Sequence, residues 1–243
     1  MTWEPRTYRR TVDAVGLVTF EVVLAETDLQ ISASADLSGI AADLVRSLRA
    51  DLKGYIATHP RFAESYVPVE VEPGAPEIVR AMADAARVAG VGPMAAVAGA
   101  IAERVARGLA GHAAEVIVEN GGDLFVIGRT QRLIALVAGD SPLSGTVAIA
   151  LPPEMLPTAV CTSSGKVGHS VSHGSSHAVT IVASDGALAD AVATAVGNTV
   201  HDAGDVEPAL ERARAIEGVR GAVVIAGESI GAAGGVTLVP VRG

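Results

Sequence analysis

The chain has 243 residues, of which 49% are hydrophobic and 19% are charged, so it can bury a sizeable core and is not disordered as a whole. Its 18 Lys and Arg residues against 27 Asp and Glu residues give a net charge of −9, and it carries only one Trp, three Tyr and three Phe. A chain this acidic and this poor in aromatic rings lacks the basic face and the stacking platform of a nucleic-acid-binding protein.

The cysteine content and the apolar runs bear on where the protein works. The single cysteine, Cys161, cannot form an intramolecular disulfide, and the first residues lack the apolar segment of a secretory signal. Charges, Gly or Pro interrupt every apolar run before it reaches the length of a membrane-spanning helix. These features predict a cytoplasmic protein without a membrane segment. The aliphatic composition also favours a homo-oligomer, because several sheet faces have to be covered.

The first half of the chain is predicted to form a strand pair followed by three helices. Partial alternation of apolar residues over residues 8–35 indicates two strands that turn near residues 26–28. Apolar residues at helical spacing then predict a long helix over residues 37–56, and a proline-rich extended connection follows over residues 60–76. Two more helices are expected, one over residues 76–89 and one carrying the stripe Val97, Ile101, Val105 and Leu109.

The second half is predicted to contain short strands in clusters, interrupted by two helices. Runs bounded by Gly, Pro, Asp or Ser indicate strands at residues 116–118, 124–127, 133–137, 147–151, 178–183, 222–226 and 236–241. Helices are expected to begin near Asp185 and after Asp205. Because strands cluster instead of alternating with helices, the predicted class is α+β, with mixed or antiparallel sheets packed against helices. We expect a single domain over residues 1–243, with two fused α+β halves as the alternative.

The first candidate site is the stretch Asn120, Gly121, Gly122 and Asp123, which lies between two predicted strands. Two glycines allow the backbone to approach a ligand closely, and the flanking amide and carboxylate can hydrogen-bond to it. The same residues are also typical of an ordinary hairpin turn. Both interpretations stay open from the sequence.

The second candidate is a run of small polar residues, Thr162, Ser163, Ser164 and Gly165, which is predicted to form a loop that wraps an anionic group such as a phosphate. His169, His173 and His177 follow it. Covalent catalysis by Cys161 or a serine would need a base such as His169, but no third member of a triad is recognisable. Glycines make a metal-binding helix improbable here, so a solvated Ser-rich hairpin is favoured over a histidine metal site.

The third candidate is a polar stripe on the predicted helix that begins near Asp185. Asp190, Thr194 and Asn198 recur every four residues, opposite an apolar stripe. A carboxylate and a hydroxyl one turn apart can hold a hard cation such as Mg²⁺, which takes further ligands from water or phosphate. An ordinary solvent-facing stripe is the alternative, but such faces usually carry Lys, Arg or Glu, and this stripe has none.

Together these stretches resemble the ApbE superfamily of flavin transferases, and more closely its UPF-numbered branch. The strings that carry the resemblance occur in the same order as in that branch: AGVGPMAAVAGAIAE, EVIVENGGDLF, AGDSPLS, VCTSSGKVGHSVS and LADAVATAVGN. The segment HPRFAES is similar too, and the resemblance extends over about residues 8–240. It implies an ApbE-like α+β fold that binds FAD with Mg²⁺ and, in its best-known members, transfers the FMN moiety to a protein Thr or Ser.

The resemblance also implies roles for individual residues. Asp190 and Thr194 look like the metal-binding pair of the D-A-L-x-T-A motif. The stretch from Asn120 to Asp123 looks like the flavin-contacting N-x-G-G-D turn, and the stretch from Thr162 to Gly165 looks like the T-S-G loop. In this interpretation His169 would act as general acid or base.

Two departures from the superfamily pattern bear on the expected function. Ala98 stands where the G-G-I-A-K-G-Y-A helix start has its Lys, and the D-P-x-T-G motif is not recognisable. The leading hypothesis is a Mg²⁺-dependent enzyme acting on a flavin nucleotide or a similar pyrophosphate-bearing ligand, with a protein as acceptor. The alternatives are a non-catalytic binding or accessory protein of the same fold, and, since the branch resembles factors of sulfur assimilation towards homocysteine, a sulfur-transfer protein that uses Cys161.

Overall fold

A large antiparallel sheet forms the middle layer of the protein. The computed structural model describes residue 12, residues 14–164 and residues 178–241. Eight strands are hydrogen-bonded in the order β1-β2-β3-β4-β7-β8-β9-β10, and every neighbouring pair is antiparallel. The strands are β1 (Val18–Leu24), β2 (Thr27–Ala33), β3 (Val116–Asn120), β4 (Asp123–Ile127), β7 (Thr158–Ser163), β8 (Ala178–Ala183), β9 (Val219–Ala226) and β10 (Ser229–Gly234).

Helices cover one face of this sheet. They are α1 (Ser38–Thr58), α2 (Arg61–Glu64), α3 (Glu77–Ala89), α4 (Val97–Leu109), α5 (Gly186–Gly197) and α6 (Val206–Arg214), with a 3-10 turn over Pro93–Ala96 directly before α4. Helix α4 packs on β3 and β4, α5 on β7 and β8, and α6 on β9 and β10, while α3 packs against α1, α4 and α5. The core between the layers is aliphatic and alanine-rich, as the composition requires.

A small sheet covers part of the other face. Its strands, in the order β11-β6-β5, are β5 (Arg132–Ala135), β6 (Val147–Leu151) and β11 (Thr237–Pro240). Residues two apart on a strand share a face, so Leu124 and Val126 of β4 point towards this small sheet while Phe125 between them points towards the helices. The three layers therefore enclose two separate hydrophobic cores.

The α+β prediction is confirmed, and most predicted elements are present with similar boundaries. Three local predictions are wrong. The connection over residues 60–76 contains the short helix α2, and both β7 and β10 are strands where none was predicted. Strand β7 is buried on both faces and so shows no alternation. Strand β10 has the sequence SIGAAG, which owes its strand conformation to pairing with β9.

No single helix within the described ranges is long and apolar enough to cross a membrane. One pair of helical segments, Glu77–Ala89 and Pro93–Leu109, passes that test jointly by length and composition, but the two segments are bent by 104° relative to each other.

Candidate functional site

The turn between β3 and β4 brings an amide and a carboxylate together on the helix-covered face of the sheet. Gly121 and Gly122 both have positive φ values, +66° and +105°, which a two-residue hairpin of this hand requires. Asn120 and Asp123 are directly opposite each other in the register. The stretch is therefore a hairpin turn, and the same turn places two polar side chains near the start of α4.

Asp123 is a buried carboxylate held by the neighbouring strand. Its Oδ1 accepts a hydrogen bond from the Thr162 backbone N at 3.0 Å, and the residue is only 7% exposed. Cys161, the residue before Thr162, has a buried thiol close to this carboxylate. Asp123 therefore sits against β7 with its charge directed away from bulk water.

Helix α5 brings a second carboxylate to the same place. The Gly99 backbone N, in the first turn of α4, donates to Asp190 Oδ2 at 2.9 Å. The side chain of Asn120 donates from Nδ2 to the Ala98 carbonyl at 3.1 Å. The beginning of α4 is thus contacted from the sheet by Asn120 and from α5 by Asp190. A helix N-terminus favours a nearby negative charge, because its first backbone N–H groups have no partner within the helix.

The two carboxylates form an acidic pair. Burial raises the pKa of Asp123 well above its ordinary value, and the charge of Asp190 raises it further. Burial also raises the pKa of Asp190, to about 7, against the opposing effect of hydrogen bonds from Gly99 and Ala98. Within the described residues neither carboxylate forms an ion pair with Lys or Arg. Such a site gains stability from an external cation, since buried like charges repel.

The residues around this pair suit a hard divalent cation. Thr194 lies one turn after Asp190 on α5 and is partly buried, so its hydroxyl can add an oxygen ligand to that of the carboxylate. No group of three or more His, Cys, Asp or Glu side chains in the described part of the chain is arranged as a metal site. The donor set present here suits Mg²⁺, which is commonly bound by one or two protein oxygens together with water and phosphate oxygens.

The run of small polar residues is only partly a loop. Thr162 and Ser163 belong to strand β7, so the prediction of a wrapping loop is wrong for these two positions. The Thr162 hydroxyl pairs with Thr180 Oγ1 at 2.9 Å, on the side of the sheet away from the helices. Ser163 faces the helices like Cys161, because it lies two residues further along the strand. Its hydroxyl is buried and has no hydrogen-bond partner among the described residues.

The remaining predicted residues follow strand β7 in the chain. Ser164 directly follows the strand and is buried. Gly165 and His169 lie outside the described residues, as do His173 and His177. The structure therefore brings together Asn120, Asp123 and Asp190, with Ser163 on the same face of the sheet.

Cys161 is enclosed in the core. Its side chain is fully buried, and its Sγ lies 3.7 Å from the Gly186 carbonyl oxygen, to which the thiol donates. Burial raises the pKa of this thiol well above its ordinary value, and the charges of Asp123 and Asp190 add to the effect. The thiolate form is therefore strongly disfavoured.

Two features of the site were not predicted from the sequence. Glu103 of α4 is a buried carboxylate close to Cys161, and it accepts a hydrogen bond from the Gly186 backbone N at 2.6 Å. Gly99 and Gly186 lie against each other where α4 crosses α5. The sequence gives no advance signal for Glu103, because it lies on the side of the predicted helix opposite the apolar stripe of Val97, Ile101, Val105 and Leu109.

The fold is that of proteins of the ApbE class. Solved structures with the same fold include the flavin transferase ApbE from Vibrio cholerae, with a TM-score of 0.58 and 13% identity over 89% of this chain and 96% of that one. The apo form of the flavinyl transferase ApbE from Pseudomonas stutzeri has a TM-score of 0.54 and 14% identity over 93% and 94% of the two chains. At these identities the likeness shows the fold alone.

The family described as "AbpE bacteria" matches residues 9–228. A UPF0280 protein of Methanocaldococcus jannaschii is 43% identical over 199 residues, which cover 80% of this chain and 81% of the relative. A UPF0280 protein of Methanopyrus kandleri is 44% identical over 229 residues, which cover 90% and 91%. The chain belongs to the UPF0280 family, a branch related to the ApbE fold, and this confirms the resemblance found in the sequence.

Proposed function

We propose that this protein binds a flavin nucleotide, or a similar pyrophosphate-bearing ligand, together with Mg²⁺, and acts on its pyrophosphate. The observation that carries the proposal is the pair Asp123 and Asp190, a buried and a partly buried carboxylate without a Lys or Arg ion-pair partner among the described residues. Burying like charges side by side destabilises a protein unless a cation neutralises them. The names of the structural neighbours support flavin as the ligand class.

Each residue of the site has a part in this proposal. Asp190 and Thr194 would hold Mg²⁺, and Asp123 would add negative charge beside it. The bound cation would neutralise phosphate oxygens and polarise the phosphorus centre. Asn120 orients the start of α4 through the Ala98 carbonyl, and the Gly121–Gly122 turn leaves room for the ligand to approach the backbone.

The remaining polar groups would contact the ligand and the acceptor. The buried Ser163 hydroxyl is free to hydrogen-bond to a phosphate or ring oxygen, and Ser164 and Gly165 complete the proposed contact. The Thr162 hydroxyl faces the other side of the sheet, so Thr162 contributes through its backbone N–H group, which holds Asp123. His169 is the proposed general acid or base. The FMN moiety would pass to a hydroxyl of an acceptor protein or to water, with AMP as the leaving group. A cytoplasmic location and a homo-oligomeric state are further parts of the proposal.

Binding of FAD with and without Mg²⁺ tests the proposal directly. Metal-free protein is titrated calorimetrically with FAD, FMN and ADP in the presence and absence of Mg²⁺. We expect Mg²⁺ to tighten the binding of FAD and ADP more than that of FMN, because only the first two carry a pyrophosphate. The resulting stabilisation would be about 2.7 kcal/mol at a hundredfold excess over the Kd. The absence of any Mg²⁺ effect with all three nucleotides would refute the proposed site.

A non-catalytic binding protein is the second candidate, and Ala98 is the observation that favours it. Phosphoryl transfer depends on positioned positive charge, and an alanine supplies none where the superfamily motif has a lysine. Release of AMP from FAD in the presence of Mg²⁺ separates the two candidates. Tight Mg²⁺-dependent binding without AMP release would identify a binding protein, and acquisition of AMP release by Ala98→Lys would show which group is missing.

A sulfur-transfer role through Cys161 is opposed by the position of the thiol. A sulfur carrier needs an accessible thiolate. The Cys161 side chain is fully buried, and this burial is the main cause of its raised pKa. We expect Cys161→Ser to retain Mg²⁺-dependent FAD binding, because the hydroxyl can still donate to the Gly186 carbonyl. Loss of an otherwise measurable sulfur-transfer activity in this variant would restore the sulfur hypothesis.

A further inference from the structure

Helices α4 and α5 are joined by a reciprocal pair of hydrogen bonds. Each helix carries a glycine in its first turns and an acidic residue four positions later: Gly99 and Glu103 on α4, and Gly186 and Asp190 on α5. The Gly99 N donates to Asp190 Oδ2 at 2.9 Å, and the Gly186 N donates to Glu103 Oε2 at 2.6 Å. The acid of each helix thus accepts from the glycine of the other.

The glycines allow this arrangement because the two backbones touch. A Cβ atom at Gly99 would lie 2.1 Å from the Gly186 carbonyl oxygen, and one at Gly186 would lie 2.4 Å from the Gly99 carbonyl oxygen. These distances are far inside van der Waals contact. With no side chain between the helices to absorb a shift, a displacement of the first turn of α5 is transmitted to α4 and to the contact between Gly99 and Asp190.

The two halves of this arrangement differ in how their charge is balanced. Four residues after Glu103, Arg107 donates from Nε to Glu103 Oε1 at 2.6 Å. Four residues after Asp190 the chain has Thr194, a neutral oxygen donor. The carboxylate of Glu103 is therefore neutralised within the protein, whereas the carboxylate of Asp190 is left available to a cation.

The peptide group of Gly186 is held from both ends. Glu103 accepts from its N–H group, and Cys161 donates to its carbonyl oxygen. Gly186 is the first residue of α5, and Asp190 follows one turn later. The position of Asp190 is therefore set by contacts that do not touch the proposed ligand.

We propose that Glu103 is a positioning residue of the cation site, which acts by fixing Gly186 and through it Asp190. The inference rests on the proposed function, since it concerns how the proposed metal ligand is held. Partners that orient metal ligands typically contribute 10- to 100-fold to metal affinity. Loss of the acceptor at position 103 is therefore expected to reduce the tightening of FAD binding by Mg²⁺ by about tenfold or more.

The test compares three variants with a matched control. Glu103→Met removes the acceptor and keeps a similar shape, and Glu103→Gln keeps an oxygen that can accept from Gly186. Glu77→Met is the control, because Glu77 of α3 is an exposed acid whose ion pair is with Arg104 of α4. Glu103→Asp keeps the charge but withdraws it by one methylene, and it replaces Glu103→Met if that variant does not fold. For each protein, calorimetry gives the FAD Kd with and without Mg²⁺.

The ratio of these two dissociation constants is the readout. A positioning role predicts that Glu103→Met loses the Mg²⁺ effect while its Mg²⁺-free Kd is unchanged, and that Glu103→Asp shows a partial loss. Glu103→Gln should retain most of the effect, and Glu77→Met all of it. An unchanged ratio in Glu103→Met would overturn this inference and leave the proposed function standing. The same holds for Glu103→Asp if it replaces a Glu103→Met variant that does not fold. A loss in the Glu77→Met control equal to that in Glu103→Met would also overturn the inference. A wild-type protein without a Mg²⁺ effect would overturn the proposed function and this inference with it.

Discussion

Substitution of Asp190 by Asn is expected to stabilise the metal-free protein while it removes the cation site. The Asn side chain keeps an oxygen that can accept from the Gly99 N, which now lies 2.9 Å from Asp190 Oδ2. What the substitution removes is a negative charge in a partly buried position beside Asp123. The same change therefore acts in opposite directions on stability and on Mg²⁺ binding.

The magnitude follows from the pKa of Asp190, which burial raises from 3.8 to about 7. Between these two values the folded protein binds more protons at this carboxyl than the unfolded chain does, so its stability falls as pH rises through this window. One pKa unit corresponds to about 1.4 kcal/mol, so the ionised form costs the fold up to about 4 kcal/mol above pH 7. Asp190→Asn is expected to recover most of this free energy at pH 8 and little of it at pH 4.

Denaturant unfolding of metal-free protein between pH 4 and pH 8 measures the effect, with calorimetry for Mg²⁺-dependent FAD binding. Asp84→Asn is the control, because Asp84 is an exposed carboxylate on α3 whose side chain is 72% accessible. It changes the net charge equally but should leave the pH dependence intact. Equal stability of wild type and Asp190→Asn at pH 8, or a difference between the two proteins that does not grow from pH 4 to pH 8, would refute the reasoning.

Two further predictions concern the start of α4. Gly99→Ala places a Cβ atom 2.1 Å from the Gly186 carbonyl oxygen and should destabilise the protein by about 3 kcal/mol or more. The control Gly54→Ala lies at an exposed position of α1 with open space around it, and it should stabilise the protein by about 0.5–1 kcal/mol. Thermal unfolding of both variants checks this, and similar melting temperatures would contradict the close contact. Asn120→Ala removes the hydrogen bond to the Ala98 carbonyl, so it should lower the free energy of unfolding by about 1 kcal/mol and weaken FAD binding. If unfolding and calorimetry show an unchanged free energy of unfolding and an unchanged Kd for FAD, this bond does not order the turn.

The regular elements were largely predictable, because their hydrophobic period is a local property. Helices α1, α3 and α4 have one apolar stripe each, and the strands with apolar runs bounded by Gly or Pro were found. The sequence predicts a ligand loop where strand β7 lies, because Cys161, Thr162 and Ser163 are small and polar. Its strand conformation comes from pairing with β4 and β8 on either side. Tertiary pairing outweighs local preference in such a segment.

The candidate site was predicted in part, and the remainder depended on contacts between distant segments. Asn120 and Asp123 are recognisable from the sequence because they flank the local Gly-Gly turn. Asp190 is recognisable because its polar stripe lacks the Lys, Arg and Glu residues that usually cover a solvent-exposed helix face. Glu103 did not stand out, since its partner Gly186 is 83 residues away in the chain. A single acid on a helix is normally a surface residue, and only its burial against α5 shows otherwise.

The sequence by itself determined the fold class, the family and most residues of the candidate site, because these depend on periodicity and on short motifs. The tertiary structure decided which of those residues share one space and with what charge. It places Asp190 beside the buried Asp123, encloses Cys161, and brings Gly99 against Gly186. The physical reason is that burial, electrostatic repulsion and backbone contact depend on distances between segments up to 91 residues apart in the chain. A local sequence pattern carries no information about these distances.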